Sequence, residues 1–430
     1  MRTPIDLLIH GLGSLVGLHE LPNRPRVGAE LGHVVELPRA AVAVRGGRVV
    51  EVGREEDLER RYAPARRFDG RGAVAIPGFV DAHTHPIFAG TRESEYERRL
   101  KGATYVEIAR EGGGILSSVR GVRAASEEEL AALVRQRLDR FLALGTTAVE
   151  CKSGYGLSLE DELKSLRALR RASAGHPLHL ETTLLGAHEI PPEHRAQRER
   201  YVDLVCDEMI PAVAAEHLAS YCDVFCEAHV FTVAESRRVL EAGRAHGLRP
   251  RLHADQLTAL GGAELAAELG AVSADHLDHV SERGIEALRA AGTIPVLLPG
   301  VGHFLRLKSD APARRLIDAG LPVAIATDMN PGSCYSFSMP MMIHLACQRM
   351  GLEPAEALVA ATLNGAFAAG CGESAGSLHP GKRCDLLLLD VASWRHLAYE
   401  FGRSQVTHVF AAGELVFERA EPRPHLPSPA

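Results

Sequence analysis

The sequence predicts a (β/α)8 barrel of the TIM type carrying a small composite β-sandwich built from both chain ends. Three observations carry that expectation. Eight short apolar runs each end in a cluster of polar, potentially reactive residues; stretches with helical periodicity lie between them; and both flanks favour strands joined by tight turns. At 430 residues the chain is long enough for one large catalytic body with a satellite. The expected boundaries are 1–72 and 373–420 for the two parts of the sandwich, 73–372 for the barrel, and 421–430 for a Pro-rich tail, loosely draped or disordered.

The elements follow in order. Residues 34–53, VVELPRAAVAVRGGRVVEVG, are rich in β-branched side chains around a hairpin-like turn at Gly46 and Gly47. The barrel runs are AVAIPGFVDAHTH (73–85), TTAVECKSGYG (146–156), HLETTLLGAH (179–188), CDVFCEAHVF (222–231), LRPRLHAD (248–255), AVSADHLDH (271–279), GTIPVLLPG (292–300) and PVAIATDMN (322–330). Near-continuous apolar runs of about five to eight residues suit parallel strands buried on both faces. Between them, SEEELAALVRQRLDRFLALG (126–145) starts with Ser126 and Glu129 in capping-box spacing, and GAELAAELG (262–270) is a second helical stretch. At the C-terminal flank, GKRCDLLLLDV (381–391) and VTHVFAAGELVFE (406–418) again read as strand, turn, strand.

Composition narrows the function classes. Hydrophobic residues make up 46% and charged residues 24%, which excludes disorder and coiled coil as the main organisation. The formal charge is −7, from 48 basic and 55 acidic side chains, so neither nucleic acid nor an anionic membrane is an expected partner. The first 20 residues lack a basic n-region and a continuous apolar core, and no run approaches about 18 apolar residues. Eight dispersed cysteines without a CxxC pair point to reduced thiols and a cytoplasmic protein. Cys222 and Cys226, four apart in an apolar run, read as small buried hydrophobes.

The chemistry gathers at the strand ends. Any single histidine of 21 is more simply a satisfied structural residue, but His83, His85, His188, His253, His276 and Asp328 all fall where a barrel carries its active site. Side chains two apart on a strand point the same way, about 6.6 Å apart along the chain, so His83 and His85 can converge on one ion. A catalytic site needs about three protein ligands and an open position; His253 and Asp328 supply further candidates from across the barrel.

The segment PGFVDAHTH with strand-end His253, His276 and Asp328 resembles the amidohydrolase superfamily over nearly the whole chain. Within it, HTHPIFAGTRESEY (83–96), GGGI (112–115), KSGYGL (152–157), LGAHEIP (185–191), HADQ (253–256), SADHL (273–277) and TDMNPGS (327–333) resemble a branch specific for one cyclic amide. That branch opens the ring of 4-imidazolone-5-propanoate to N-formimidoyl-L-glutamate in histidine degradation. The resemblance implies metal ligands at His83, His85, His253 and Asp328, and a catalytic histidine at His276. It implies substrate contacts at Arg92, Tyr155, His188, Gln256, Asn330, Gly332 and Ser333. It further implies one zinc or iron ion per chain, a small anionic substrate and a possible homodimer. Dinuclear members bridge two metals through a modified lysine ending the fourth strand; this fourth run has none, which favours one ion. Lys152, ending the second run, is expected to play an ordinary charge role.

The surrounding residues are read on their own chemistry as well. Arg92 is either the anchor for a propionate carboxylate or half of a surface salt bridge with Glu93 or Glu95. Asn330, Pro331, Gly332 and Ser333 are expected to form a turn with free N–H groups and a hydroxyl, a second anion-friendly element. Tyr155, between Gly154 and Gly156, is expected to be exposed at the barrel mouth. Glycines 112–114 are either a mobile loop over the site or an ordinary helix terminator. Gln256 stands where some superfamily members carry glutamate, and an amide cannot act as a base. The expected scheme therefore has hydroxide attack the ring carbonyl, with His276 or the metal polarising it. Asp328 accepts the water proton and passes it to the leaving ring nitrogen. The alternatives are another mononuclear cyclic amidohydrolase, a heterocycle deaminase, or a non-catalytic metal-binding barrel, which would lack ligands or have a blocked mouth.

Overall fold

The computed structural model describes residues 2–103, 107, 108 and 112–420; the expected Pro-rich tail at 421–430 lies outside the described residues. All eight expected barrel strands form: Phe79–Asp81 (β1), Thr146–Lys152 (β2), His179–Ala187 (β3), Tyr221–Cys226 (β4), Leu252–Ala254 (β5), Ser273–His276 (β6), Ile294–Leu297 (β7) and Ala324–Ile325 (β8). They pair in chain order, each parallel to the next. The last run is shorter than its apolar length, because β8 hands over to β1 just beyond Ile325. There the Asp328 N–H donates to the His83 carbonyl at 3.0 Å and the His85 N–H to the Met329 carbonyl at 2.9 Å. The Thr327 backbone and hydroxyl both donate to the Asp81 carboxylate, at 2.9 and 2.6 Å. Barrel closure thus sets His83, His85 and Asp328 side by side.

Strands from both termini build two further sheets. One contains Thr3–His10, Ala40–Arg45, Arg48–Arg54 and Tyr62–Asp69; the other contains Ser14–Gly17, Val35–Pro38, Val74–Pro77, Leu386–Leu389, Val406–Ala411 and Glu414–Glu418. The turn at Gly46 and Gly47 joins Ala40–Arg45 to Arg48–Arg54 with φ of +58° and +72°, the left-handed pair that a two-residue hairpin requires. The run Leu386–Leu389 is apolar at every position because it is buried on both faces. Leu386 and Leu388 pack into the core between the two sheets, whereas Leu387 and Leu389 join the barrel's core. The 73–85 run is likewise divided: Val74–Pro77 pairs with Leu386–Leu389, and only Phe79–Asp81 enters the barrel.

The helix Glu127–Ala143 begins with the reciprocal Ser126–Glu129 capping box expected from the sequence, a feature worth about 1 kcal/mol. Its Arg137 is buried, lies 3.5 Å from the Phe88 ring centroid and donates to the Pro86 and Phe88 carbonyls at 2.8 Å. That grip fixes the chain just after His85. Among the described residues no helix is long and apolar enough to cross a membrane.

Candidate metal centre and substrate pocket

Three imidazoles meet at the carboxyl ends of the strands. His83 and His85 leave the end of β1 and His253 sits on β5, all three buried. The Nε2 atoms of His83 and His85 are 3.2 Å apart, and those of His85 and His253 are 3.4 Å apart. Asp328 Oδ1 lies 3.3 Å from His85 Nε2 and 3.5 Å from His83 Nε2. Ligand atoms held about 2.0–2.1 Å from a tetrahedral ion stand roughly 3.3–3.4 Å from one another, so this spacing fits a single metal ion. Burial holds His83 and His85 well below the usual imidazole range, which keeps them as neutral lone-pair donors.

The far side of each ring explains its orientation. His83 Nδ1 meets Asp275 Oδ2 at 2.5 Å. His253 Nδ1 lies 3.0 Å from Asp223 Oδ2, while Asp223 Oδ1 accepts from the His253 backbone N–H at 3.2 Å. A carboxylate against Nδ1 keeps the proton there and turns the Nε2 lone pair towards the ion. Behind both carboxylates stands Lys152 at the end of β2, with Nζ 2.9 Å from Asp223, 3.0 Å from Glu150 and 3.6 Å from Asp275. Lys152 thus takes the charge role expected of it, as a buried ion-pair partner of three carboxylates. Burial alone would favour its neutral form, but the three carboxylates hold its pKa above the usual lysine value.

His276 ends β6 with its ring centroid 5.5 Å from that of His83 and 5.2 Å from that of His253. Burial lowers its pKa to about 3, so the ring is neutral at physiological pH. Its Nδ1 is buried without a hydrogen-bond partner among the described residues. Burial raises the Asp328 carboxyl above the usual range. Both residues occupy the left-handed region, His276 at φ +76° and Asp328 at φ +49°. Non-glycine residues hold that conformation only where surrounding structure enforces it, a pattern concentrated at functional sites.

Of the substrate-side candidates, Tyr155 and His188 lie by His85, while Asn330, Gly332, Ser333 and Arg92 lie in the turn after Asp328 or against it, with two corrections. The His188 ring stacks on His85 with centroids 5.2 Å apart, and its Nδ1 pairs with the Gly154 carbonyl at 2.9 Å. Tyr155 is near both rings, 5.3 Å from His188 and 6.1 Å from His85, but it is only 3% exposed rather than open at the mouth. The buried Glu162 carboxylate draws its loop inward by accepting the N–H groups of Gly154, Gly156 and Leu157 at 3.0, 2.7 and 2.9 Å. The second correction concerns the turn: its N–H groups are not free. Asn330 Oδ1 accepts from Gly332 and Ser333, each at 2.8 Å, an Asx-type closure, and the Ser333 hydroxyl donates to Asp328 at 3.3 Å. The turn instead buttresses Asp328 and Arg92. A Cβ on Gly332 would stand 2.4 Å from Arg92 Nη1, so only glycine lets the guanidinium lie against it. Arg92 pairs with Glu95, not Glu93, through Nε at 2.9 Å and Nη2 at 2.6 Å. Glu95 also accepts the Gly114 N–H at 3.1 Å, tying the end of the glycine run to Arg92. Gln256 is half-buried on the loop after β5. That loop is shaped by Asp255, which accepts four successive N–H groups from Leu260 to Ala263, each at 3.0 Å.

Sequence reasoning passed over Glu150, Asp223, Asp275 and Glu162. The first three carried a usable signal: each is an acidic residue inside an otherwise apolar strand run, which a buried strand tolerates only when the charge is paired. Glu162, in the first turn of the helix Leu159–Ser173, resembles any helix-start carboxylate and carried none.

Known proteins resemble this chain over most of its length. The model of the amidohydrolase family matches residues 74–416. The imidazolonepropionase of Symbiobacterium thermophilum is 50% identical over 424 residues, 98% of this chain and 99% of the relative. That of Geobacillus kaustophilus is 46% identical over 414 residues, covering 95% and 97%. Among solved structures, the 5-methylcytosine deaminase of Klebsiella pneumoniae superimposes with a TM-score of 0.72 at 17% identity, covering 96% of this chain and 98% of that one, which speaks for the fold alone.

Proposed function

The chain belongs to the amidohydrolase family, and on that premise we propose how its site performs one reaction: hydrolysis of the ring amide C–N bond of 4-imidazolone-5-propanoate to N-formimidoyl-L-glutamate. The carrying observation is the convergence of three buried Nε2 atoms within 4.8 Å of one another. They lie beside Asp328 and next to the rings of Tyr155 and His188. His83, His85, His253 and Asp328 are the ligand set, and zinc and iron both accept such donors. Bound there, the ion supplies Lewis acidity and brings the pKa of water towards about 7.

The chain's own residues do the rest. Asp328, its carboxyl raised by burial, takes the proton of the attacking water. It returns that proton to the ring nitrogen as the C–N bond breaks. Ser333 and the Asn330 side chain hold this carboxylate and its backbone in place. His276, neutral and with an unpartnered Nδ1, donates a hydrogen bond to the carbonyl oxygen as negative charge develops there. Arg92, braced by Glu95 and Gly332, receives the propionate. Tyr155 and His188 pack on the ring, and Gln256 holds it by hydrogen bonding without acting as a base. The substrate is a small anion, and the family resemblance supports a cytoplasmic protein and a possible homodimer. The test is product analysis: the ring-opened N-formimidoyl-L-glutamate is expected without release of ammonia, whereas ammonia release with the ring intact would indicate a deaminase.

A further inference from the structure

The loop of residues 153–157, between β2 and the helix Leu159–Ser173, is gripped by two side chains from outside it. Glu162 takes its N–H groups, accepting Gly154 on Oε2 at 3.0 Å and Gly156 and Leu157 on Oε1 at 2.7 and 2.9 Å. Arg123, on the helix Ile115–Ala124, takes its carbonyls, donating from Nε to Gly156 at 2.8 Å and from Nη2 to Leu157 at 3.0 Å. Glu193 steadies that guanidinium at 2.7 Å. A buried carboxylate is ordinarily paired with a cation, yet Glu162 forms no salt bridge among the described residues, and its oxygens go to the loop. The loop is built for this hold. Leu157 is kept in the left-handed region at φ +52°, and a Cβ on Gly156 would stand 2.5 Å from the Asp161 carbonyl carbon. Tyr155 sits between the gripped residues, and the Gly154 carbonyl pairs with His188 Nδ1 at 2.9 Å, so the same loop sets both rings that lie by His85.

We propose that Glu162 and Arg123 are positioning residues for substrate binding: together they fix the loop so that the Tyr155 and His188 rings form the surface on which the substrate ring packs. The inference rests on the reading that these two rings touch the substrate, and it adds what holds them there. Such a contact depends on placement to within about 0.5 Å, and a short glycine-flanked loop has no such precision of its own. The carboxylate supplies it: two oxygens serve three N–H groups, because each oxygen offers more than one lone pair. Glutamine has one acceptor oxygen and an NH2 donor. At least one loop N–H would then face a donor, and that buried group is relieved only if the loop moves.

The test uses the full chain loaded with zinc. Glu162→Gln keeps the shape of the side chain and is expected to raise KM for 4-imidazolone-5-propanoate about 10-fold, with kcat changed by less than about twofold. The dissociation constant of N-formimidoyl-L-glutamate, from calorimetry, is expected to rise in step, with zinc per chain unchanged. In the Tyr155→Ala background the same substitution is expected to change KM by only about twofold, the remainder carried through His188. Arg123→Gln, at a part-exposed side chain, takes the same comparison if Glu162→Gln does not fold. Arg123→Lys is expected to recover part of that loss by keeping the charge and a donor. Wild-type KM and product affinity in a folded variant with lowered Tm would overturn the positioning role and leave the grip as fold stability alone. An equal rise in KM with and without Tyr155 would overturn it as well. Wild-type KM in Tyr155→Ala itself would overturn the reading of the rings instead.

Discussion

Replacing Arg92 with Ala tests the proposed contact between this guanidinium and the carboxylate of the substrate. In the structure Nε and Nη2 are already engaged by Glu95 at 2.9 and 2.6 Å, and Nη1 lies against Gly332. Glu95 takes the Nε–Nη2 edge, and with Nη1 lying against Gly332 the magnitude is worked for one charge-assisted hydrogen bond to the propionate. Such bonds contribute about 1.5–3 kcal/mol. With the Glu95 carboxylate on the other edge of the guanidinium, the lower part of that range applies, about 1.5–2 kcal/mol. That corresponds to a loss of roughly 10- to 30-fold in kcat/KM, carried mainly by KM because the contact is made equally before and during bond cleavage. Arg92→Lys is expected to recover part of it, keeping the charge but losing the planar brace against Glu95. The assay compares the acid with its primary-amide analogue in wild type and variant. The loss is expected for the acid and absent for the amide. Equal discrimination between the two substrates by wild type and Arg92→Ala would refute Arg92 as the carboxylate anchor.

Two further outcomes follow from burial. His276, with its pKa lowered to about 3, is neutral throughout the working range; His276→Asn is expected to cost at least about a hundredfold in kcat while leaving the midpoint of the acid limb unmoved between pH 5 and 9. A shifted midpoint would mean that His276 titrates there. Lys382 is buried, donates to the Ala375 carbonyl at 2.9 Å, and has its pKa lowered from 10.5 to about 8 by burial. The folded chain therefore binds fewer protons than the unfolded chain between pH 8 and 10.5. Stability attributable to this group rises with pH across that window, and the cost of about 3 kcal/mol is fully present below it. Lys382→Met, which also loses a hydrogen bond worth about 1 kcal/mol, is expected to raise Tm at pH 7 and to lose that advantage near pH 10; an equal difference at both pH values would contradict the assignment.

The barrel was legible because its strands are buried on both faces, so each announces itself as an apolar run with a reactive end. The candidate ligands were legible for the same reason: His83 and His85 have strand spacing, and His253 and Asp328 terminate runs of their own. What sequence could not convey was partnership across strands. Lys152 and Asp275 are more than 120 positions apart along the chain, and only barrel closure brings their side chains to 3.6 Å. The division of the 73–85 run was hidden because both sheets ask for the same apolar, β-forming residues there. Tyr155 misled for a different reason. Its flanking glycines signal a loop, but the inward pull comes from Glu162, on the helix that follows.

We propose one ion, held by His83, His85, His253 and Asp328, serving one hydrolytic reaction. Its most direct test is a metal titration of chelator-stripped protein, following the loss of 4-imidazolone-5-propanoate absorbance at each addition of zinc or ferrous ion. Turnover is expected to rise linearly and break at one equivalent per chain, and to be absent at every addition in His253→Ala. A break at two equivalents, or full turnover in the stripped protein, would contradict it.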